Sequence, residues 1–308
     1  MTISKETLNG SIAAALTYVI FGVNIVLCKD LLNCGIASPS VLFNIRAGGA
    51  TLLMWILGCF RPKDKVDRKD LLKILGASLL GITVPHLSTL WGLKFSTPFD
   101  TSMVNSLKPL FAIFAGFIIL REKVSLKTSA GVALGLAGAI LLVLAGANLD
   151  DAFKTTPAGM LILALNGLSF AFYLVIFRPL IKKYSCLSFM KWCMLFAFIC
   201  SIPIAAPDYG EVKIELFNTS RCLELLYLII FGTFITYFIS PYAQKRITPT
   251  QYCIISYVQP ITATILSIAA GLDLFTWGKL AATILMISGV WITVTGKQNP
   301  SDDGQIQN

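Results

Sequence analysis

Charge is scarce in this 308-residue chain: 13% of it is Asp, Glu, Lys or Arg and 56% is hydrophobic, whereas an ordinary soluble domain is about 25% charged. That shortage excludes a sizeable water-facing domain. Histidine is nearly absent, and the single His86 excludes a multi-histidine metal site. The eight cysteines are Cys28, Cys34, Cys59, Cys186, Cys193, Cys200, Cys222 and Cys253. They form no CxxC pair or Cys/His cluster, so they read as packing residues, with a Cys28–Cys34 bridge as the lesser alternative. There is no Walker A pattern, no HExxH and no glycine-rich dinucleotide loop, and no cofactor is expected. Nor does any carboxylate lie deep in an apolar run. Asp100, Glu122, Glu224 and Asp273 all fall near run ends, so no carboxylate proton relay is evident.

Long apolar runs take the place of these features. They cover residues 10–27, 40–60, 71–93, 100–120 and 128–147, then, after a polar break at 148–156, residues 157–177, 187–206, 222–242, 250–271 and 277–295. Each is about long enough to cross a ~30 Å hydrocarbon core. Lipid forbids unpaired backbone, and the runs lack the alternation of a barrel strand, so each is expected to be a helix. The first run follows Lys5, is too long for a signal-peptide core and is followed by further spans; it reads as a retained span.

The net charge of +9 does not point to nucleic acid, because the basic residues sit in short loops. One set of alternate loops holds Arg61, Lys63, Lys65, Arg68, Lys69 and Lys73, then Arg121, Lys123 and Lys127, then Arg178, Lys182 and Lys183, then Lys245 and Arg246. The other set carries Lys29, Lys94, Lys154, Lys213, Arg221 and Lys279 among Asp150, Asp151, Asp208, Glu211 and Glu215. The positive-inside rule makes the basic loops cytoplasmic, and with ten spans both termini are cytoplasmic too. The expected location is a cytoplasmic (inner) membrane.

The chain also repeats itself. An ungapped shift of 151 residues aligns Gly81 with Gly232, Lys94 with Lys245, Thr97-Pro98 with Thr248-Pro249, Pro109 with Pro260, Glu122 with Asp273 and Gly138 with Gly289. A shift of 149 aligns Gly10 with Gly159, Phe21 with Phe170 and Lys29 with Arg178. Matched leucines would mean little, whereas a Lys, Thr-Pro, Pro, acid and Gly series in one register is not a chance product. Each copy holds five spans, an odd number, so the second enters the membrane from the opposite side, about a pseudo-two-fold axis in the membrane plane. The expected fold is an all-α polytopic membrane protein with ten transmembrane helices as two inverted five-helix repeats. Residues 1–150 form the first repeat, 151–296 the second and 297–308 a cytoplasmic tail.

Arg46-Ala-Gly in the second run, the stretch from Leu107-Lys108-Pro109-Leu110 to Arg121-Glu122-Lys123, and its repeat from Gln259-Pro260-Ile261 to Asp273 carry a family likeness. Over about residues 10 to 296 the chain resembles the drug/metabolite transporter superfamily, in its EamA-type branch. Asp273 stands where that family commonly has Glu. The resemblance implies an exporter or exchanger of amino acids, other metabolites or drugs, with relatives that carry sugar phosphates or nucleotide sugars. It also implies a central cavity lined by spans one, three, four, six, eight and nine.

Ionisable groups inside a membrane are costly and mark candidate sites. Lys108 lies near the middle of span four, His86 midway along span three, and Arg46 about six residues into span two. The 151 shift sets Lys108 opposite Gln259 and His86 opposite Tyr237, so both pairs are candidate solute contacts. Arg46 could equally tie helices together, Lys108 could serve a carbonyl freed by Pro109, and His86 could be a proton carrier or a packing residue. Lys191 reads as an interfacial anchor. Asn24 and Tyr173 at repeat-related places, Trp91, Asn105 and Tyr257 complete the candidates. Gly131, Gly135 and Gly138 on span five and Gly289 on span ten suit close helix packing, and the same stripe would suit a second copy in a homodimer.

These residues predict a secondary transporter working by alternating access. Its solute would be a small metabolite bearing a carboxylate, such as an amino acid, with export favoured by the resemblance alone. A sugar-phosphate or nucleotide-sugar exchanger is the alternative. A membrane scaffold or an intramembrane enzyme fits less well, since the deep polar residues offer no nucleophile with a base.

Overall fold

The computed structural model describes residues 5–60, 66–120, 125–146, 155–244, 246–247 and 255–296. Arg61, Lys63, Lys65, Arg121-Glu122-Lys123, residues 148–154, Lys245, Thr248-Pro249-Thr250, Cys253 and the 297–308 tail lie outside the described residues, as do the side chains of Lys5, Pro109, Ala112, Val143, Arg178, Lys182, Pro241 and Val294. Among the described residues every regular element is helical. The chain is a polytopic membrane protein. Six helices or continuous helical rods are long and apolar enough to cross a bilayer, and shorter apolar helices accompany them.

Helix α1 spans Lys5–Asn33 and α2 spans Pro39–Cys59. A third rod runs through α3 (Arg68–Ser78), a π-helical turn (Leu79–Thr83) and α4 (Val84–Lys94). Helices α5 (Pro98–Asn105) and α6 (Lys108–Leu120) are separated by a turn, and α7 covers Leu126–Gly146. Next come α8 (Pro157–Ile176), the short α9 (Arg178–Lys183) and α10 (Cys186–Ala205). Another rod joins α11 (Thr219–Ile229), a π-helical turn (Ile230–Ile235) and α12 (Thr236–Gln244). Helices α13 (Val258–Ala269) and α14 (Trp277–Gly296) complete the described chain.

Local chemistry accounts for these starts and stops. Ser38-Pro39, Thr97-Pro98 and Thr156-Pro157 each place a hydroxyl at the N-cap and a proline, which has no N–H to leave orphaned, at the first helical position. Their hydroxyls accept from the N–H groups of Val41, Asp100 and Gly159. At the end of α13, Gly271 adopts φ +68°. The Leu272 N–H then reaches the Ser267 carbonyl and the Gly271 N–H that of Ile268, a left-handed cap that suits glycine.

The irregularities recur within one residue of the repeat distance. Leu79 and Ile230, which open the two π turns, are 151 residues apart. Pro85 gives the first turn its cause, since it has no N–H for the Gly81 carbonyl. In the second, Thr233 Oγ1 donates to the Leu228 carbonyl five residues back, which steadies the wider turn. The kink between α5 and α6 at Ser106–Leu107 has a counterpart at Ser256–Tyr257 before α13. Each precedes a proline, Pro109 or Pro260, that removes a helical hydrogen bond.

Packing divides in two. The larger core joins α1, α2, α3, α4, α8, α10 and α11 around buried Phe43, Ala47, Met54, Ile74, Phe189 and Met194. The smaller joins α5, α6, α7 and α14 around Met103, Leu110, Leu142 and Met286. Helices α7 and α14 pack closely along one another. A Cβ added at Gly289 would lie 2.7 Å from the Gly131 carbonyl oxygen, and one at Gly138 would lie 2.7 Å from Met286 Cγ. The glycine stripe is thus occupied within the chain.

Candidate solute-binding site

The deep polar residues converge where α2, α4, α6, α8 and the Ile230–Ile235 turn meet. His86 Nε2 lies 2.7 Å from Tyr237 Oη. These residues are 151 apart, so the register that aligns them in sequence also brings them into contact. Phe43 stacks on the His86 ring at a centroid distance of 5.8 Å and an interplanar angle of 20°. Arg46, which is 2% exposed, donates from Nη2 and Nε to Thr233 Oγ1 at 3.1 and 3.4 Å and from Nη1 to Cys28 Sγ at 3.3 Å. It therefore ties α1, α2 and the second π turn together. Arg46 and Lys108 both lie close enough to His86 to act on it electrostatically.

Two further contacts obey the repeat relation. A Cβ at Gly81 would lie 2.7 Å from Tyr173 Cγ, and one at Gly232 would lie 2.5 Å from Asn24 Oδ1. Gly81 and Gly232 differ by 151 residues, Asn24 and Tyr173 by 149. Each π turn therefore presents a glycine to a polar residue on the helix that opens the other half. Any larger side chain would displace the Tyr173 ring or the Asn24 amide.

Lys108 opens α6 and is half-buried. Its Nζ sits over the Phe170 ring, 5.2 Å from the centroid. No hydrogen bond or carboxylate partner meets that ammonium among the described residues. One turn before Phe170 on α8, the Asn166 Nδ2 amide donates to Asn105 Oδ1 at 2.8 Å, across the turn that precedes Lys108, and to Thr89 Oγ1 at 2.5 Å, joining α4, α5 and α8. Gln259 is buried at the start of α13, and its backbone carbonyl approaches Gly22 on α1. Tyr257 lies instead on a separate cavity between α13 and α14. Trp91 is not brought to the cluster; Lys94 covers its ring at 5.4 Å from the centroid. Lys191 lies against Trp55, Nζ to centroid 5.3 Å, as befits an anchor. Cys28 and Cys34 are both free thiols. Among the described residues no group of three His, Cys, Asp or Glu side chains could hold a metal ion.

Sequence reasoning missed Thr233 and Asn166. A rule that singles out amides deep in apolar runs finds Asn166 as readily as Asn24 and Asn105. It also missed two sets of ties between the halves. Where α3 begins, Lys183 Nζ donates to Asp70 at 2.6 Å and Asp67 at 2.7 Å, and Tyr184 Oη to Asp70 at 2.7 Å. The Asp67 and Asp70 carboxylates, with Tyr184, hold the Lys183 ammonium above the ordinary lysine range. At the opposite end, Lys279 Nζ lies 2.6 Å from Asp273 and 3.5 Å from Asp100, whose other oxygen accepts from Thr155.

The profile of the EamA-like transporter family matches this chain over residues 8–144 and again over 157–295. The chain belongs to the EamA-like transporter family. It is similar to the uncharacterized transporter YetK of Bacillus subtilis, 21% identical over 96% of this chain and 90% of that one. It is also similar to the uncharacterized inner membrane transporter YicL of Salmonella typhimurium, at 22% identity over 92% of this chain and 95% of the relative. A WAT1-related protein of Arabidopsis thaliana is 25% identical over 77% and 71% of the two chains. One protein crystal structure superposes with a TM-score of 0.61 at 20% identity, covering 96% of this chain and 98% of its own, which shows a shared fold. As an EamA-like chain with several apolar rods, this protein is a multi-pass membrane transporter.

Proposed function

We propose that this EamA-like transporter carries a small monoanionic metabolite, most simply an amino acid or another carboxylate-bearing solute, and that Lys108 binds its anionic group. The observation that carries the reading is the Lys108 ammonium, set over Phe170 with no acceptor among the described residues. A cation kept inside a membrane without a counter-charge is expensive, and a solute carboxylate would relieve that cost with a charge-assisted hydrogen bond. His86 and Tyr237 supply neighbouring polar atoms.

The same observations favour a carboxylate over a phosphorylated solute. A phosphate dianion calls for a second free cation, and the guanidinium of Arg46, the other deep cation of the first repeat, already donates to Thr233 and Cys28.

The transporter works by alternating access between two inverted five-helix halves, ten spans in all, with both termini cytoplasmic. The recurrence of the π turns at 151 residues supports this reading, as does the His86–Tyr237 contact between equivalent positions. Export across a cytoplasmic membrane is the expected direction.

The test is thermal stability of the purified protein against amino acids, organic acids, sugar phosphates and nucleotide sugars, followed by flux of each hit in proteoliposomes. A bound ligand raises stability with its concentration. Carboxylate hits should lose roughly tenfold or more in affinity in Lys108→Ala, the worth of one hydrogen bond to a charged group. Stabilisation by phosphorylated solutes alone, or a carboxylate hit indifferent to the substitution, would overturn the assignment.

A further inference from the structure

A cavity of ≈ 250 Å³ separates α13 from α14, with Phe99 and Met103 of α5 at its back. These helices follow one another in the chain, yet they do not pack together: α14 leans on α7, and α13 on α1 and α5. The rim residues Ile261, Ile265, Leu274 and Phe275 are all exposed. In the ten-span arrangement proposed above they face hydrocarbon, so the groove opens sideways into lipid rather than into water. Helix α13 has 12 residues, a length of about 18 Å, close to the ~15 Å of one leaflet. Exposed Trp277 beside the mouth suits the interface at that leaflet's edge.

The groove ends at charge. Asp273 Oδ1 accepts from Lys279 Nζ at 2.6 Å and from the Leu274 N–H at 2.7 Å. Its Oδ2 is buried and has no hydrogen-bond partner among the described residues. Lys279 is directed to Asp273 and Asp100, and Lys29, nearby, donates to the carbonyls of Leu93 and Ser96. An unpaired carboxylate oxygen at the end of an apolar groove asks for a hydrogen-bond donor.

We propose that this groove is a lipid site. It takes an acyl chain of a phospholipid from the leaflet opposite the basic loops, and Asp273 Oδ2 accepts from a primary-ammonium headgroup. Ethanolamine lipids have that donor and choline lipids have none, so headgroup selectivity follows from one oxygen atom. Thr264 and Thr283 spend their hydroxyls on the carbonyls of Pro260 and Lys279, which leaves the walls apolar.

The experiment is native mass spectrometry of the delipidated protein titrated with phosphatidylethanolamine or phosphatidylcholine of identical chains, with thermal stability alongside. Wild type should retain the ethanolamine lipid roughly tenfold better, the worth of one hydrogen bond to a charged group. Asp273→Asn should bind both lipids alike, and Thr264→Phe, which fills the groove, should bind neither while melting no lower than wild type without lipid. Equal retention of the two lipids by wild type would overturn the headgroup contact. Undiminished binding by Thr264→Phe would overturn the groove, and that variant keeps the test open if Asp273→Asn fails to fold. None of these readouts involves solute, so Lys108 can fail its own test independently.

Discussion

Tyr237 and His86 depend on each other in a way that substitution separates. Tyr237→Phe removes the hydroxyl and leaves the imidazole nitrogen without its partner in a half-buried site, at a cost of about 1 kcal/mol. Replacing both rings by phenylalanine leaves neither group orphaned and should cost less than the sum of the single changes. A double-mutant cycle read by thermal unfolding checks this, and additive losses would mean that the 2.7 Å contact contributes nothing of its own. Thr233→Val tests Arg46 by the same logic, since it leaves a buried guanidinium with only Cys28 as a described partner and should destabilise by about 2 kcal/mol. At this scale the sequence was legible where chemistry is rare. A lone histidine and a lysine in an apolar run announce themselves, and the repeat register paired His86 with the residue it touches. The partners of Arg46 were hidden, because a threonine 187 positions away is one hydroxyl among many until the helices pack. The Asp273–Lys279–Asp100 cluster was hidden too: all three residues lie near helix ends, where sequence implies water, and folding buries them.

The helices themselves were legible because apolar length, Ser/Thr-Pro starts and a glycine stop all act locally. Broken helices were less so. Pro85 and Pro109 forecast a bend without saying whether the backbone widens into a π turn or tightens into a kink, and the second π turn has no proline at the position equivalent to Pro85. The tightest element-level constraint is the α7–α14 pair. At Gly289 a Cβ would meet the backbone of Gly131 and Gly135, which cannot rotate away as a side chain could. Gly289→Val should therefore force the two helices apart and lower stability by about 1–3 kcal/mol or more. Gly210→Val, in open space, is the control. Thermal unfolding in detergent distinguishes them, and equal behaviour would mean that the close approach of α7 and α14 is dispensable.

For the whole molecule, the two repeats turn one observed tie into a statement about its image. Under the 151 and 149 shifts Asp70 maps to Arg221 and Lys183 to Cys34, and Arg221 Nη2 indeed lies 2.8 Å from Cys34 Sγ. The basic-loop end is thus held by an ionic cluster and the opposite end, at the same place, by a guanidinium on a thiol. If the halves rock against each other, loosening one tie should open that end alone. Lys183→Ala should speed labelling of the half-buried Cys186 by an impermeant maleimide applied from the basic-loop side, and Arg221→Ala should do the same for Cys34 from the other side. Partly exposed ties shift such equilibria on the order of two- to fivefold. The Lys183 tie also carries a pH dependence. Its ammonium titrates higher in the folded protein than in the unfolded chain, so its contribution is complete below about pH 10.4, the ordinary lysine value, and is lost only as pH rises through the folded value. Labelling of Cys186 in wild type should therefore not change between pH 6 and 8 once corrected for thiol ionisation. Opening at both ends in either variant would mean that the ties hold the bundle as a whole and do not gate its two faces.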